Sequence, residues 1–525
     1  TNTTGGGFDF ANLNSAHEER IEVERAAHSA INGSDALAGV INNVTRRAEE
    51  GHTVSVFGEA GEDDFYDTGV GAQGRAGSFD YTAELATRDD GDPVPGSERE
   101  SDSANLRLGW APAAGHYLSA AYRYLDGERT SYPEQSGGPE FALSDDLDEA
   151  DYSDEVISAG WEWSISERWH SRLTASRFEH KEDFTSPGIP PFTEVPPNGA
   201  DTDFSRDTVQ WVNTLAVARN YELNLGADYR DEEGESEGYV EFGGFRAPTN
   251  FELDRGSSGY FVELTASPVD SLLLRGSVRY DDPDGFDSET SWQAGASVDV
   301  GAGFSIAANW GEAYKLPSFF ALGNPLVGNL DLKPEQADSW DAGLAWESGA
   351  GLRLQATYFF NDFKDLVDFD DETFRNVNRQ NIETSGVELQ AAWQVTDELD
   401  LRAQGTYTDI DVKSEDTVLT GRPEWTAGLV ARWRFLPSWD AALDYRFTGE
   451  QWSTSRHTGT DVTEELDSYH RVDWVLRWQP ADPWQVQLSA DNLLDEDYDT
   501  AVGFEAPGRA FRFGVRFTPV SYTHL

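Results

Sequence analysis

From Leu272 to Tyr280, Leu272, Leu274, Gly276, Val278 and Tyr280 share one side of an extended backbone, and Leu273, Arg275, Ser277 and Arg279 share the other. A period of two is the mark of a strand whose two faces meet different surroundings. Leu352–Phe360 repeats it, with Arg353, Gln355 and Thr357 on the second face, and Leu399–Tyr407 repeats it with Asp400, Arg402, Gln404 and Thr406 there. Such segments recur from His52 to the C-terminal end, and helical periodicity is almost absent. They begin near His52, Phe65, Ser78, Ala104, His116, Asp154, Trp169, Phe204, Tyr221, Ser258, Ser271, Ser291, Phe304, Gln336, Gly351, Asn376, Leu399, Glu424, Trp439, Tyr469, Trp484 and Arg509, a total of 22 strands. The links alternate in length. They are tight at 74–77, 111–115, 164–168 and 218–220, and long at 88–103, 126–152, 179–203, 316–335 and 451–468.

Alternation alone fits a soluble sandwich with one buried face. The even number of segments and the regular exchange of short and long links point instead to an antiparallel barrel across a membrane, with tight turns on one side and larger loops on the other. Trp161, Trp163, Trp433, Trp439, Trp474, Trp478 and Trp484 fall near strand ends, where such barrels carry aromatic girdles. No run of about 18 apolar residues exists for a membrane helix. A ring of 22 strands is too wide for its own side chains to fill. Its lumen must therefore hold water or another part of the chain.

Charge narrows the choice of partners. With 96 acidic against 39 basic side chains the net charge is −57, which repels nucleic-acid phosphates. Aromatics at 12% argue against disorder, so the acid is expected on a folded surface, as solvated loops or as a cation-binding face. The absence of cysteine removes disulfides, thiolate metal ligands and a thiol nucleophile. Nine histidines are scattered without a metalloprotease or nucleophile-elbow pattern, so no enzyme is expected. Asp145, Asp146, Asp148 and Asp151 form an oxygen-rich stretch that could ligate calcium, although the spacing is not that of an EF-hand. Otherwise no cofactor is expected.

Residues 7–47, GFDFANLNSAHEERIEVERAAHSAINGSDALAGVINNVTRR, resemble the closing segment of the plug of TonB-dependent outer-membrane receptors. Its Ile-Glu-Val, Arg, Ser, Gly and Ala-x-Gly-Gly-Val-Ile-Asn positions are matched by Arg20, Glu22, Arg25, Ser29, Gly33, Gly39 and Asn42 among others. Ala26-Ala27 replaces the usual Gly-Pro, Asn32 replaces a Tyr, and Glu18, Glu24 and Asn43 replace residues that are commonly apolar. The stretch from Gly311 to Leu344, Tyr358–Leu366, Ser385–Leu389 and Asn492–Arg509 are similar in order to the family's barrel, and Phe517 to its terminal aromatic. The resemblance implies an all-β fold, a 22-stranded barrel over 51–518 with a remnant of an α+β plug in 1–50, and a tail of 519–525 that is non-native or disordered. It also implies a plug arginine paired with a glutamate of the inner wall. The alternation turns Glu388 inward, opposite in phase to Val387 and Leu389, so Arg25 with Glu388 is the candidate lock.

By the same resemblance the chain is a monomer in the lipid of a Gram-negative outer membrane that imports a scarce nutrient. Its ligand would be a small molecule or metal chelate such as a ferric siderophore or cobalamin, the barrel being compact beside oligosaccharide importers. The TonB complex would drive import in the full-length protein; these residues lack the plug's opening part, so the expectation is binding without pumping. The competing readings are a passive porin-like channel and a soluble all-β binding protein.

Overall fold

The computed structural model describes residues 3–7, 18–25, 27, 29–48, 50–193, 195–370, 372–413 and 418–521. Twenty-two spanning strands, from Gly51–Gly61 to Ala510–Phe517, pair antiparallel with their neighbours in sequence and close into one barrel. The ring is sealed where Ala510–Phe517 pairs with Trp484–Asp491 on one side and Gly51–Gly61 on the other. Closure has a physical cause: in hydrocarbon every backbone N–H and C=O needs a partner within the protein, and a closed ring leaves no edge.

Even-numbered strands end in tight turns, among them 77–78, where Gly77 has φ 60°, and 219–220, where Asn220 has φ 67°. Both residue types tolerate the left-handed conformation that such turns need. Outward aromatics line this end. Phe79 stacks on Trp110, Trp439 on Trp478, and Trp484 lies against Phe517, with ring centroids 5.6, 5.3 and 4.5 Å apart. Trp161, Trp433, Trp478 and Trp484 are exposed, as rings at a lipid interface should be. A second belt at the far end includes Trp310, Trp340 and Phe360, which are cross-strand neighbours.

On the far side the sheet rises well beyond the membrane. Trp169–Ser186, Asn198–Ala218, Tyr221–Phe242 and Phe251–Val269 are 18 to 22 residues long, about twice the 9–11 that span a bilayer. The segments expected as loops at 126–152 and 179–203 are therefore strand at both ends, and 132–147 and 187–197 separate the ladders. Above the lipid, polar side chains are free to occupy both faces, so the ladder continues without an apolar stripe. Much of the acid lies here. Glu100, Glu128, Asp151, Asp183, Asp201 and Glu237 are successive register partners and are exposed. Like charges directly opposite one another weaken a sheet, and only water and salt offset that repulsion.

The tail departs from its expected form as well. Val520 and Ser521 pair with Thr53 and His52 and extend the ladder; residues 522–525 lie outside the described ones.

Candidate functional site in the barrel lumen

The lumen holds a small element whose described residues are 18–25, 27 and 29–48. Glu18–Arg25 and Gly39–Thr45 pair antiparallel from Glu18↔Thr45 to Arg25↔Gly39. Gly39 has φ 155°, and a Cβ there would lie 2.5 Å from the carbonyl oxygen of Glu24, so a side chain would force the hairpin open at its base. On the strands, Arg20 donates to Glu22 at 2.6 Å and Asn42 donates to its second oxygen at 2.9 Å. These two donors hold the Glu22 carboxyl below the usual carboxylate range. Three of the motif residues thus stabilise the hairpin itself.

Between the strands, a helical turn at Ser29–Asn32 faces the inner wall. The wall has an opening to receive it. The ladder between Glu289–Gly301 and Phe304–Lys315 ends at Gln293↔Gly311, so Phe304–Lys315 runs on toward its outer end without that neighbour. Ser29 Oγ accepts from Tyr314 N at 3.1 Å, and Ser34 Oγ accepts from Leu316 N at 3.2 Å. Two hydroxyls replace the missing strand, and Ser29 is fully buried. Beside them Ala27 packs with Ala313 and Ala337, with Leu37 and Phe363 around them. The alanine found where the family has proline is small enough for this contact.

Charged side chains surround the turn. Arg279, 3% exposed, donates to both oxygens of Asp228 at 2.8 Å and lies 2.7 Å from Asp281, and its Nη1 also donates to the carbonyl of Ile31 at 3.4 Å. A Cβ on Gly33 would approach this guanidinium to 3.0 Å, and φ there is 75°. On the hairpin side, Arg25 Nη1 lies 2.6 Å from Glu388 Oε1, with the arginine side chain 57% exposed and the glutamate 20%. Val387 and Leu389 face outward and are exposed. The structure therefore brings together the two residues named as the candidate lock. Sequence reasoning did not single out Arg279, Asp228, Asp281 or Asp35. The available signal was the run of arginines on the wet face of Leu272–Tyr280 in a chain so poor in cations.

The four aspartates considered for calcium are not gathered. Asp148 and Asp151 belong to the strand Asp148–Ser166, three positions apart and so on opposite faces, while Asp145 and Asp146 precede it. Ser144 Oγ donates to Asp146 at 2.7 Å. Among the described residues no cluster of three or more His, Cys, Asp or Glu could hold a metal ion.

A closed barrel of this width with a folded element bound to its inner wall is an outer-membrane type of barrel whose lumen is partly filled, not an empty pore. The model of the family described as TonB dependent receptor-like, beta-barrel, matches residues 78–493, and the chain belongs to that family. It is 25% identical over 533 residues to the vitamin B12 transporter BtuB of Vibrio cholerae, a match covering 98% of this chain and 81% of that protein. Among solved structures it resembles the siderophore receptor PiuA from Acinetobacter baumannii, with 17% identity, TM-score 0.80, and coverage of 96% of this chain and 87% of that one. The ferripyoverdine receptor of the outer membrane of Pseudomonas aeruginosa gives 16% identity, TM-score 0.83, and coverage of 96% and 77%. At these identities the structural matches establish the fold. Members of the family are receptors and transporters of the Gram-negative outer membrane, and this chain serves nutrient uptake across it.

Proposed function

We propose that the nutrient is a metal chelate, cobalamin or a ferric siderophore, caught at the outer mouth and admitted when the TonB complex displaces the element of residues 18–48. The observation that carries this reading is that element's attachment to the inner wall through Ser29, Ser34, Arg279 and Arg25. A ring of this width with an empty lumen would conduct freely, whereas an element held by a few polar contacts can be moved. The chemistry named for the relatives, vitamin B12 and siderophores, supplies the ligand class. In this reading Arg25–Glu388 is the lock that holds the hairpin, and the barrel works as a monomer.

The test is uptake in a Gram-negative host deleted for its own cobalamin and siderophore receptors. Radiolabelled cyanocobalamin and a panel of labelled ferric chelates are supplied to cells with and without TonB, the full-length protein being expressed. Accumulation of one of these that depends on TonB supports the proposal. Entry that is unselective and indifferent to TonB would identify a passive channel instead.

A further inference from the structure

We propose that Asp35 is a second pin of the lumenal element, opposite in polarity to Arg25–Glu388, and that the same charge cluster ties it to the inward-folded outer loop of residues 316–334. The proposal rests on reading residues 18–48 as a plug element, and it adds a connection that reading does not require.

Asp35 sits in the turn after Ser29–Asn32, with φ 78°. Its Oδ2 lies 3.2 Å from Arg206 Nη2 and 3.6 Å from Arg230 Nη1, so here the lumenal element supplies the anion and the wall the cations. Arg206 also binds Glu232, its Nε donating to Oε1 at 2.7 Å. Arg255 donates to the other oxygen of Glu232 through Nη2 at 2.7 Å and Nε at 3.0 Å. The chain of contacts does not stop at the wall. Arg255 Nη1 donates to the carbonyl of Pro317 at 3.1 Å, and its guanidinium lies 5.0 Å from the ring centre of Phe319. Pro317 and Phe319 begin the loop that returns to the wall at Glu335–Glu347, and Phe319 is buried with Phe178 and Phe204.

Charge balance explains why Asp35 matters to this assembly. Arg206 and Arg255 share one carboxylate of the wall, Glu232, which is 3% exposed, and Arg230 lies beside them against Asp35. Asp35 is the anion that the lumenal element contributes to the excess of positive charge. Withdrawing it leaves arginines crowded at low exposure, and they reorganise around Glu232, the same carboxylate that fixes Arg255 against the loop. Movement of the turn and loosening of the loop are thereby coupled. Ser34 Oγ, which accepts from Leu316 N at the start of the loop, gives the coupling a second contact one residue away.

The chain has no cysteine, so single labels can be placed without background. Nitroxides are attached to E19C on the hairpin and, in a separate protein, to L330C on the loop, and their mobility is followed by electron paramagnetic resonance through a urea titration in detergent. D35N removes the charge while keeping a residue type that accepts the left-handed conformation. It is expected to lower the urea midpoint for both labels by about 0.5 M or more, a shift readily resolved for a transition of ordinary slope. R206Q/R230Q should reproduce the shift, and the triple variant should add nothing to it. E388Q should loosen the hairpin label alone. Unchanged midpoints in D35N, or loosening of the hairpin without the loop, would overturn the proposal. A hairpin label already fully mobile in the parent chain without urea would sink the plug reading beneath it. Barrel integrity in each variant is read from its heat-dependent gel mobility.

Discussion

Arg25 and Arg279 both bind across the boundary between the lumenal element and the barrel, yet they belong to different kinds of contact. Arg25 reaches out from the element, more than half exposed, to Glu388 of the wall. Arg279 belongs to the wall, is almost fully buried between Asp228 and Asp281, and meets the element at the carbonyl of Ile31 and the backbone of Gly33. An exposed ion pair contributes little because water competes for both partners and salt screens them. A buried cation flanked by two carboxylates has no such substitute, and removing it leaves charges stranded in a poor solvent. The residue that most resembles a lock in sequence is therefore expected to be the weaker attachment, and a structural arginine of the wall sets the shape of the receiving surface.

R279Q should give the largest effect. It leaves Asp228 and Asp281 without their shared partner, and the expected cost is roughly 3–5 kcal/mol, read as a lower urea midpoint for release of the E19C label and as increased conductance in a planar bilayer. Adding D228N and D281N to R279Q should recover much of the loss, since neutral amides need no counter-charge. No recovery would mean that packing of the arginine stem matters more than its charge.

G39A comes next. The new methyl would sit 2.5 Å from the Glu24 carbonyl at the last pair of the hairpin, and both strands must shift to admit it. Strain of this kind costs on the order of 1–3 kcal/mol. The hairpin label should loosen while Arg279 and its wall partners stay in place, which amide exchange of Asp228 and Asp281 would report. Simultaneous loosening of the wall would show that hairpin and turn act as one body.

The contrast also explains what the sequence could disclose. Every spanning strand was legible because lipid outside and water inside impose strict alternation, and the same alternation turned Glu388 inward toward Arg25. Above the membrane that constraint ends. Glu179–Ser186 and Asn198–Asp203 carry polar residues on both faces, so they read as loop although they are strand. The buried cluster lay beyond reach for a related reason. Arg206, Glu232 and Arg255 come from three strands, and their meeting with Asp35 depends on how the turn docks into the gap beside Phe304–Lys315. Nothing local in the sequence marks that gap.

E388Q is the smallest of these changes and the most direct check on the comparison. With Arg25 exposed as it is, loss of the pair should cost about 0.2–1 kcal/mol, and R25Q/E388Q should cost no more than either single change. Because the pair is accessible to ions, the difference between parent and E388Q should fall toward zero near 1 M salt, where charges are screened within about 3 Å. The effect of R279Q should persist there, since ions do not reach a buried site as readily. If salt erased both differences alike, Arg279 would be as wet as Arg25, and the distinction between an exposed lock and a buried seat would fail. If E388Q instead cost as much as R279Q in low salt, the hairpin pair would be the principal attachment, and the hold of the wall on Ser29–Asn32 would be secondary to it.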